Sequence, residues 1–174
     1  MSIQLSETIR LVPLRSEEDV HMMLSWFFTP ELQHLVGIPD GAKPLYKKSY
    51  SATATADFDA NNRVFMIADG EKKVGMCEVR KSPLFDRSAT MGLVIADKTY
   101  RGCGIGGQII EAFKHIAFDE MNAENLNIRV YTKNKTALEV GCRLGFEKAG
   151  LLKNIATVGG TSASYYILQI TRSE

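Results

Sequence analysis

A glycine-rich turn between two apolar segments constrains this chain more than any other part of its sequence. Four glycines fall within six residues, at Gly102, Gly104, Gly106 and Gly107, after the apolar run at 89–96 and before an amphipathic segment. Glycine adopts positive φ angles and leaves neighbouring backbone N–H groups uncovered. The first N–H groups of a helix have no partner within that helix. A strand, a glycine turn and a helix N-terminus together predict a phosphate-binding site.

The spacing of the glycines also fits a dinucleotide-binding pattern, although the rest of the chain does not supply its usual context. Gly102, Gly104 and Gly107 match the dinucleotide pattern G-x-G-x-x-G. Such a unit carries an acidic residue at the end of the following strand, where this chain has Thr132-Lys133-Asn134. No Gly-Lys-Ser/Thr triplet is present, so a P-loop is not predicted. A dinucleotide-dependent oxidoreductase therefore ranks third among the functional hypotheses for this chain.

Apolar periodicity along the chain predicts strands and helices in a mixed order. An amphipathic helix begins at Ser16 and ends near Pro30, and a hairpin turns at Asp69-Gly70. Three consecutive strands with short turns imply antiparallel pairing, so the order predicts an α+β fold. The predicted strands cover 8–14, 63–69, 73–80, 89–96, 126–132, 147–155 and 164–171, and the predicted helices cover 16–29, 46–58, 106–121 and 136–144.

Length and composition narrow the class of protein. The 174 residues suit one domain spanning 1–174, because a single core usually serves roughly 100–200 residues. A formal net charge of +1 excludes a strongly basic nucleic-acid-binding protein. No apolar run approaches the roughly 20 residues of a membrane span, and the N-terminus does not resemble a secretion signal. We expect a cytoplasmic protein with neither a nucleic-acid nor a membrane partner.

The cysteines predict neither a disulfide framework nor a metal site. Cys77, Cys103 and Cys142 are odd in number and widely spaced, and no C-x-x-C motif is present. This usage fits a reducing compartment. Cys103 lies near a predicted helix N-terminus, which lowers the pKa of a thiol. No histidine is close to it in sequence, so a nucleophilic cysteine is not predicted.

Two motifs together resemble the GCN5-related N-acetyltransferase (GNAT) superfamily. The run Arg101-Gly102-Cys103-Gly104-Ile105-Gly106 matches its R/Q-x-x-G-x-G/A acetyl-CoA motif. The runs Asn134-Lys135-Thr136-Ala137 and Leu144-Gly145-Phe146 match its downstream N-x-x-A and L-G-F motifs. The resemblance covers residues 9–171 and is nearest to the branch holding ribosomal-protein N-terminal, polyamine and aminoglycoside acetyltransferases. It implies a GNAT-like central sheet, mixed and mostly antiparallel, of about seven strands with helices on both faces.

The resemblance also implies acetyl-CoA as cosubstrate, without a metal, and assigns residues to it. The backbone at Val94, Ile95 and Ala96 would lie along the pantetheine arm and help hold the acetyl carbonyl, whose oxygen gains charge during transfer. The amides of residues 102–107 would hold the pyrophosphate, with Arg101 nearby. Asn134 would form a hydrogen bond to the coenzyme.

The catalytic groups are harder to assign. Many family members have a tyrosine seven residues after the motif asparagine, as the acid for the departing thiolate, and here that position is Gly141. A base or a water chain must accept the amine proton. Glu78, which resembles an acid in polyamine acetyltransferases, is the first candidate, although it could simply pair with Arg80 or Lys73. Tyr131 is the second candidate, although such a tyrosine is more often a packed aromatic.

The predicted function is transfer of acetyl from acetyl-CoA to a primary amine, directly within a ternary complex. The amine would belong to a small molecule, such as a polyamine or aminoglycoside, or to a protein N-terminus. The missing tyrosine motivates an alternative, an acetyl-CoA-binding sensor or pseudo-enzyme without turnover. A homodimer is left open. Clustering of Glu78 with Asp40, Asp57 or Asp59 would favour a cationic acceptor, and Trp26 and Phe28 are candidates to line its pocket.

Overall fold

The computed structural model describes residues 2–55 and 59–172 of the chain. Short connections join most of its elements, and a 3₁₀ turn at Lys98–Tyr100 precedes the longest helix of the second half. The strands are β1 (Ile3–Gln4), β2 (Ile9–Pro13), β3 (Asn62–Asp69), β4 (Lys72–Lys81), β5 (Ser88–Ile95), β6 (Asn125–Tyr131), β7 (Glu147–Val158) and β8 (Thr161–Thr171). The α-helices are α1 (Glu17–Phe27), α2 (Pro30–Val36), α3 (Lys43–Thr55), α4 (Ile105–His115) and α5 (Lys135–Arg143).

The described strands form one sheet in the order β1-β2-β3-β4-β5-β6-β8-β7. Every neighbouring pair is antiparallel except β5 and β6, which are parallel. A parallel pair needs a crossover connection, and α4 supplies it. The α+β prediction and the mostly antiparallel sheet are therefore confirmed. The sheet has eight strands rather than about seven, because the two-residue β1, too short to show alternation, adds an edge.

Helices cover both faces of the sheet, as the resemblance implied. Successive side chains of a strand point to opposite faces, and β3 shows this alternation clearly. Val64 and Met66 pack in a core with α1 and α3, whereas Phe65 and Ile67 pack in a second core with α4. The sheet is thus buried on both sides in its centre. We call these the α1–α3 face and the α4 face.

Two helices depart from the sequence prediction. The segment after Thr29 was expected to be loop, but α2 begins at Pro30, with the Thr29 hydroxyl accepting from the N–H of Leu32 at 3.3 Å. Proline suits a first helical position because the N–H it lacks would have no partner there. The helix predicted over 106–121 ends as an α-helix at His115 and continues as a π-helical turn at Ile116–Glu120.

Two further features of the described ranges bear on function. Across residues 2–55 and 59–172, each helix falls short of the length and apolar character that crossing a membrane requires. Within the same ranges, no three side chains of His, Cys, Asp or Glu come together in a group that could hold a metal ion.

Candidate active site

A gap opens between β5 and β6 at the centre of the sheet. The two strands pair from Ser88 with Asn125 to Met91 with Ile128, and their pairing ends there. Both strands continue beyond that point on their outer sides, where β5 pairs with β4 as far as Ile95 and β6 pairs with β8. The inner backbone groups of both strands are therefore left facing a space between two ordered strands.

The register of β4 and β5 shows which backbone groups of β5 face this gap. The N–H of Ala96 donates to the carbonyl of Val74 on β4 at 2.9 Å. Because residues of an antiparallel strand alternate between facing and not facing the partner, Val94 also faces β4, whereas Leu93 and Ile95 face the gap. Of the three residues predicted to hold the pantetheine arm, only Ile95 offers its backbone to the gap. Leu93 was missed, because the alternation depends on a register that the sequence does not state.

Arg101 secures the end of β5. Its Nε and Nη2 donate to the carbonyls of Ile95 and Ala96, both at 2.9 Å, and its Nη1 lies 3.0 Å from Oε1 of Glu31 on α2. All three nitrogens of the guanidinium therefore already have partners within the protein. The sequence placed Arg101 near the pyrophosphate, and the structure shows its side chain directed to the strand end, where it positions the loop that follows.

The glycine loop presents an open row of backbone N–H groups. Gly102 and Gly104 have φ angles of 78° and 83°, a left-handed conformation that favours glycine. Apart from the adjoining residues and the backbone of α4 itself, no described heavy atom lies within 4 Å of where a Cβ would stand on Gly102, Gly104 or Gly107. Among the described residues, no backbone N–H from 102 to 107 donates a hydrogen bond. Gly104 is the N-cap residue of α4, and no side-chain hydrogen bond caps this helix. Such a surface suits an anion.

The remaining loop residues hold this surface against the sheet. Ile105 is buried in the core on the α4 face. A Cβ on Gly106 would stand 3.5 Å from the Leu93 side chain, so the first turn of α4 lies directly beside the gap. Cys103 is exposed. The glycine pattern therefore serves both the open N–H row and the close packing of α4 on β5.

Asp97 organises the turn that leads into the loop. Its carboxylate accepts from the N–H and hydroxyl of Thr99, at 2.9 and 2.7 Å, and forms an ion pair with Lys72 at 2.7 Å. The Lys72 ammonium, followed by the Thr99 donors, holds the pKa of Asp97 well below its usual range. The charged form of Asp97 thus stabilises the folded turn.

The second motif region forms the start and the interior of α5. Asn134 caps the helix, with its Oδ1 accepting from the N–H of Ala137 at 3.1 Å. Gly141 is buried, and a Cβ there would stand 2.7 Å from Cδ1 of Leu168 on β8. The atom that such a Cβ would meet is the end of a flexible leucine side chain, which must shift to admit any side chain at 141. The glycine at 141 thus lets α5 pack directly on Leu168 of β8.

A cleft of about 480 Å³ lies beside the gap on the α1–α3 face. Its floor is the β5 segment from Gly92 to Val94, and aromatic side chains form much of its wall. Tyr46 and Tyr50 stack with ring centroids 5.9 Å apart, and Phe27 meets Tyr46 edge-on at 5.9 Å. The cleft is lined by Phe27, Val36, Gly37, Ile38, Pro39, Tyr46, Tyr50, Met76, Glu78, Thr90, Met91, Gly92, Leu93, Val94, Arg129, Ile155, Ala156 and Tyr165.

Glu78 is held in this cleft with one carboxylate oxygen free. Its Oε2 accepts from the Tyr50 hydroxyl at 3.1 Å and from Nε of Arg80 at 2.9 Å. Its Oε1 has no hydrogen-bond partner among the described residues, and it lies 3.3 Å from where a Cβ of Gly92 would stand. Burial, with the nearby carboxylate, raises the pKa of Tyr50 well above its ordinary value, so Tyr50 remains a donor. The pairing with Arg80 orients Glu78 and leaves its second oxygen available.

Tyr131 lies elsewhere. It is buried in a small cluster with Val158, Ala163 and Tyr165, with its ring centroid 5.6 Å from that of Tyr165, and it is not among the residues that line the cleft. Tyr165 does line the cleft, and its hydroxyl donates to the carbonyl of Gly37 at 2.6 Å. This placement matches the packed aromatic that the sequence also allowed.

The aromatic prediction for α1 needs correction. Trp26 and Phe28, proposed for the acceptor pocket, pack against the core on the α1–α3 face and are not among the cleft's lining residues. Phe27, expected in the core, is buried there and also lines the cleft. The Tyr46 and Tyr50 wall was missed, although their spacing of four residues on a predicted helix could have indicated a shared face.

Asp40 and Asp59, whose clustering with Glu78 would favour a cationic acceptor, do not cluster with it. Asp40 accepts from the N–H groups of Gly159 and Gly160, at 3.0 and 2.9 Å, and thereby ties down the β7–β8 turn. Asp59 lines a different pocket, together with Arg15. Asp57 lies outside the described residues.

Comparisons with known proteins place this fold. RimL, a ribosomal L7/L12 alpha-N-protein acetyltransferase solved with coenzyme A, is 16% identical with a TM-score of 0.78, over 98% of each chain. The spermidine N-acetyltransferase from Vibrio cholerae, solved with CoA and spermine, is 18% identical with a TM-score of 0.74, over 95% of this chain and 96% of that one. These likenesses concern the fold. The family model for the acetyltransferase (GNAT) domain matches residues 8–147, so this chain belongs to the GNAT acetyltransferase family.

Proposed function

We propose that the protein transfers an acetyl group from acetyl-CoA to a primary amine, directly within a ternary complex. The observation that carries this proposal is that the glycine loop and the cleft adjoin the same gap beside β5. The open N–H row of the glycine loop lies on one side of β5, where a Cβ on Gly106 would stand 3.5 Å from the Leu93 side chain. The cleft that holds Glu78 lies on the other side of the same strand segment. A thioester held along this gap would be within reach of an amine in the cleft.

The loop residues fit the phosphate groups of acetyl-CoA. The N–H groups of 102–107 have no other acceptor among the described residues, and a Cβ on Gly102, Gly104 or Gly107 would fill the space before them. Arg101 already occupies the carbonyl of Ile95, so the Leu93 carbonyl and the N–H groups of Leu93 and Ile95 remain for the amide-rich pantetheine arm. These N–H groups can stabilise charge on the acetyl oxygen. Asn134, whose Oδ1 caps α5, retains its amide N–H₂ for the coenzyme.

Glu78 is the proposed general base. An ammonium cannot attack a carbonyl, so the amine must first lose a proton. Oε1 of Glu78, which lies beside Gly92 on β5 without a hydrogen-bond partner among the described residues, accepts that proton, while Tyr50 and Arg80 fix the carboxylate through Oε2. Acetyl-CoA supplies an activated acyl carbon and a thiolate leaving group, which departs readily because a simple thiol has a pKa of about 8.5. The absence of the tyrosine acid at Gly141 is therefore compatible with turnover.

A second candidate is an acetyl-CoA sensor that binds without turnover, and the glycine at position 141, where many family members have the tyrosine acid, favours it. Calorimetric titration with acetyl-CoA, followed by a free-thiol release assay over a panel of amines, separates the two. We expect binding, and amine-dependent thiol release. Binding without release on any amine would favour the sensor, and no binding would contradict both.

A further inference from the structure

The charges in the acceptor cleft select a particular kind of amine. Of the described residues that line it, only Glu78 and Arg129 carry a formal charge. Glu78 is already paired with Arg80, at 2.8 Å between Oε2 and Nη2. The cleft together with this ion pair therefore holds one carboxylate and two guanidinium groups. An excess of positive charge disfavours a second cationic group on the acceptor.

Arg129 faces the cleft as a consequence of strand alternation. Leu126, Ile128 and Val130 of β6 pack in the core on the α4 face. Arg129 falls between them and so points to the α1–α3 face, where it lines the cleft beside Tyr165. It is exposed, and it has no ion pair or hydrogen bond to another described residue. Its five N–H donors are available to an anionic oxygen group.

Gly92 lies between the two charges and has no side chain of its own, and a Cβ there would stand 3.3 Å from both Cγ and Oε1 of Glu78. Glu78 pairs with Gly92 across β4 and β5, and Arg129 follows directly after the last pair of β5 with β6, Met91 with Ile128. Arg129 therefore continues the row of Glu78 and Gly92 on the far side of the gap. Paired strands lie about 4.8 Å apart, and β6 has separated from β5 here, so Glu78 and Arg129 stand at least about 10 Å apart at their Cα atoms. A small molecule can span them.

We infer that the acceptor is a small primary amine that also carries an anionic oxygen group, a carboxylate or a phosphate, which Arg129 binds while the amine approaches Oε1 of Glu78. This inference rests on the proposed transfer to an amine. It assigns Arg129 to acceptor specificity, because a guanidinium pairs with either group through two parallel hydrogen bonds. The volume of about 480 Å³ lies within the roughly 300–1,000 Å³ of small-ligand sites.

Acceptors matched in length and different in charge test this inference. The set is β-alanine, phosphoethanolamine, propylamine and ethylenediamine, and the longer ω-amino acids are compared with the diamines of equal length. Thiol release gives kcat/KM, and calorimetry gives Kd with and without coenzyme A. We expect the anionic amines to be preferred over the matched diamines by about tenfold in both measurements, a typical size for one charge pair. The relative rates of β-alanine and phosphoethanolamine distinguish carboxylate from phosphate.

A charge reversal at one position sharpens the test. Arg129→Glu should invert the preference, so that diamines become the better acceptors. Lys153→Glu changes the net charge equally at an exposed position of β7 outside the cleft, and it should keep the wild-type order. Equal or better use of diamines by the wild type, or an unchanged order in Arg129→Glu, would overturn the inference. Failure of the proposed function would appear differently, as no thiol release with any amine, and the calorimetric order would still decide the role of Arg129.

Discussion

The two sides of the gap offer different kinds of groups to the ligands proposed for them. On the proposed coenzyme side, a short continuous stretch from 93 to 107 supplies backbone groups, and glycines keep them open. On the proposed acceptor side, the charged and aromatic groups are side chains from α1, α3, β4, β6 and β8, which are distant in sequence. Backbone recognition of this kind depends on local conformation, whereas side-chain recognition depends on how the sheet brings strands together.

This contrast predicts that the glycine loop tolerates few substitutions and that the side chains of the cleft can vary. A substitution in the loop alters φ angles and N–H groups that any acetyl-CoA would need. A substitution at Arg129 or Tyr46 changes a lining side chain and leaves the loop and the gap intact. We therefore expect loop variants to abolish coenzyme binding, and cleft variants to change turnover or acceptor choice while coenzyme affinity stays nearly constant.

The largest expected effect belongs to Gly104→Val. A branched side chain is strained at a φ of 83° and would occupy the space before the N–H row. Loss of two charge-assisted hydrogen bonds, at roughly 1.5–3 kcal/mol each, corresponds to at least about 100-fold weaker acetyl-CoA binding, measured by calorimetry. Gly41→Val is the matched control, since Gly41 also has a positive φ, 73°, and open space. Both variants should lose about 1–3 kcal/mol of stability, and unchanged affinity in Gly104→Val would exclude this loop as the coenzyme site.

A smaller effect is expected on the acceptor side, from Glu78→Gln. The amide keeps the shape of the side chain and cannot accept the amine proton, so kcat should fall at least about tenfold. Acetyl-CoA affinity should change little, because Glu78 lies on the opposite side of β5 from the loop. Glu120→Gln breaks a comparable pair with Arg63, 2.7 Å long and remote from the cleft, and should keep wild-type kcat. Wild-type rates in Glu78→Gln would remove this residue from the mechanism.

The smallest expected effect is on how strongly acidic pH destabilises the protein through Asp97, in the turn that precedes the glycine loop. The depressed pKa of Asp97 means that its stabilising contribution is fully present above the unfolded pKa of about 3.9 and is lost as pH falls through the lower folded value. The wild type should therefore lose free energy of unfolding below about pH 4 more steeply than Asp97→Asn, as urea unfolding at several pH values would show. Asp97→Asn should also weaken acetyl-CoA binding a few-fold.

Glu124→Gln provides the comparison for this last prediction. Arg87 holds the pKa of Glu124 below its usual value, so this variant should also reduce the acid sensitivity of unfolding. Glu124 pairs with Arg87, just before β5 begins, whereas the glycine loop follows the other end of β5, so acetyl-CoA affinity should be unchanged. Equal affinity losses in the two variants would mean that Asp97 acts through general stability and does not position the loop.

Local sequence determined the elements of the coenzyme side, because turns and helix starts depend on nearby residues. The glycines, the β3–β4 hairpin and the α4 and α5 periodicity were readable in this way, and so was the strand that carries Glu78. The short β1 and the helix α2 were not predicted, since neither has enough alternation to distinguish it from a loop.

Only the tertiary structure decided which side chains line the proposed acceptor cleft and which backbone groups of β5 face the gap. The register with β4 turned Leu93 and Ile95 toward the gap and tied Ala96 to Val74. Contact with Leu168 fixed the meaning of Gly141, and β6 carried Arg129 to a position across Gly92 from Glu78. Pairing between strands that are far apart along the chain sets these relations, so the pattern of any single segment could not reveal them.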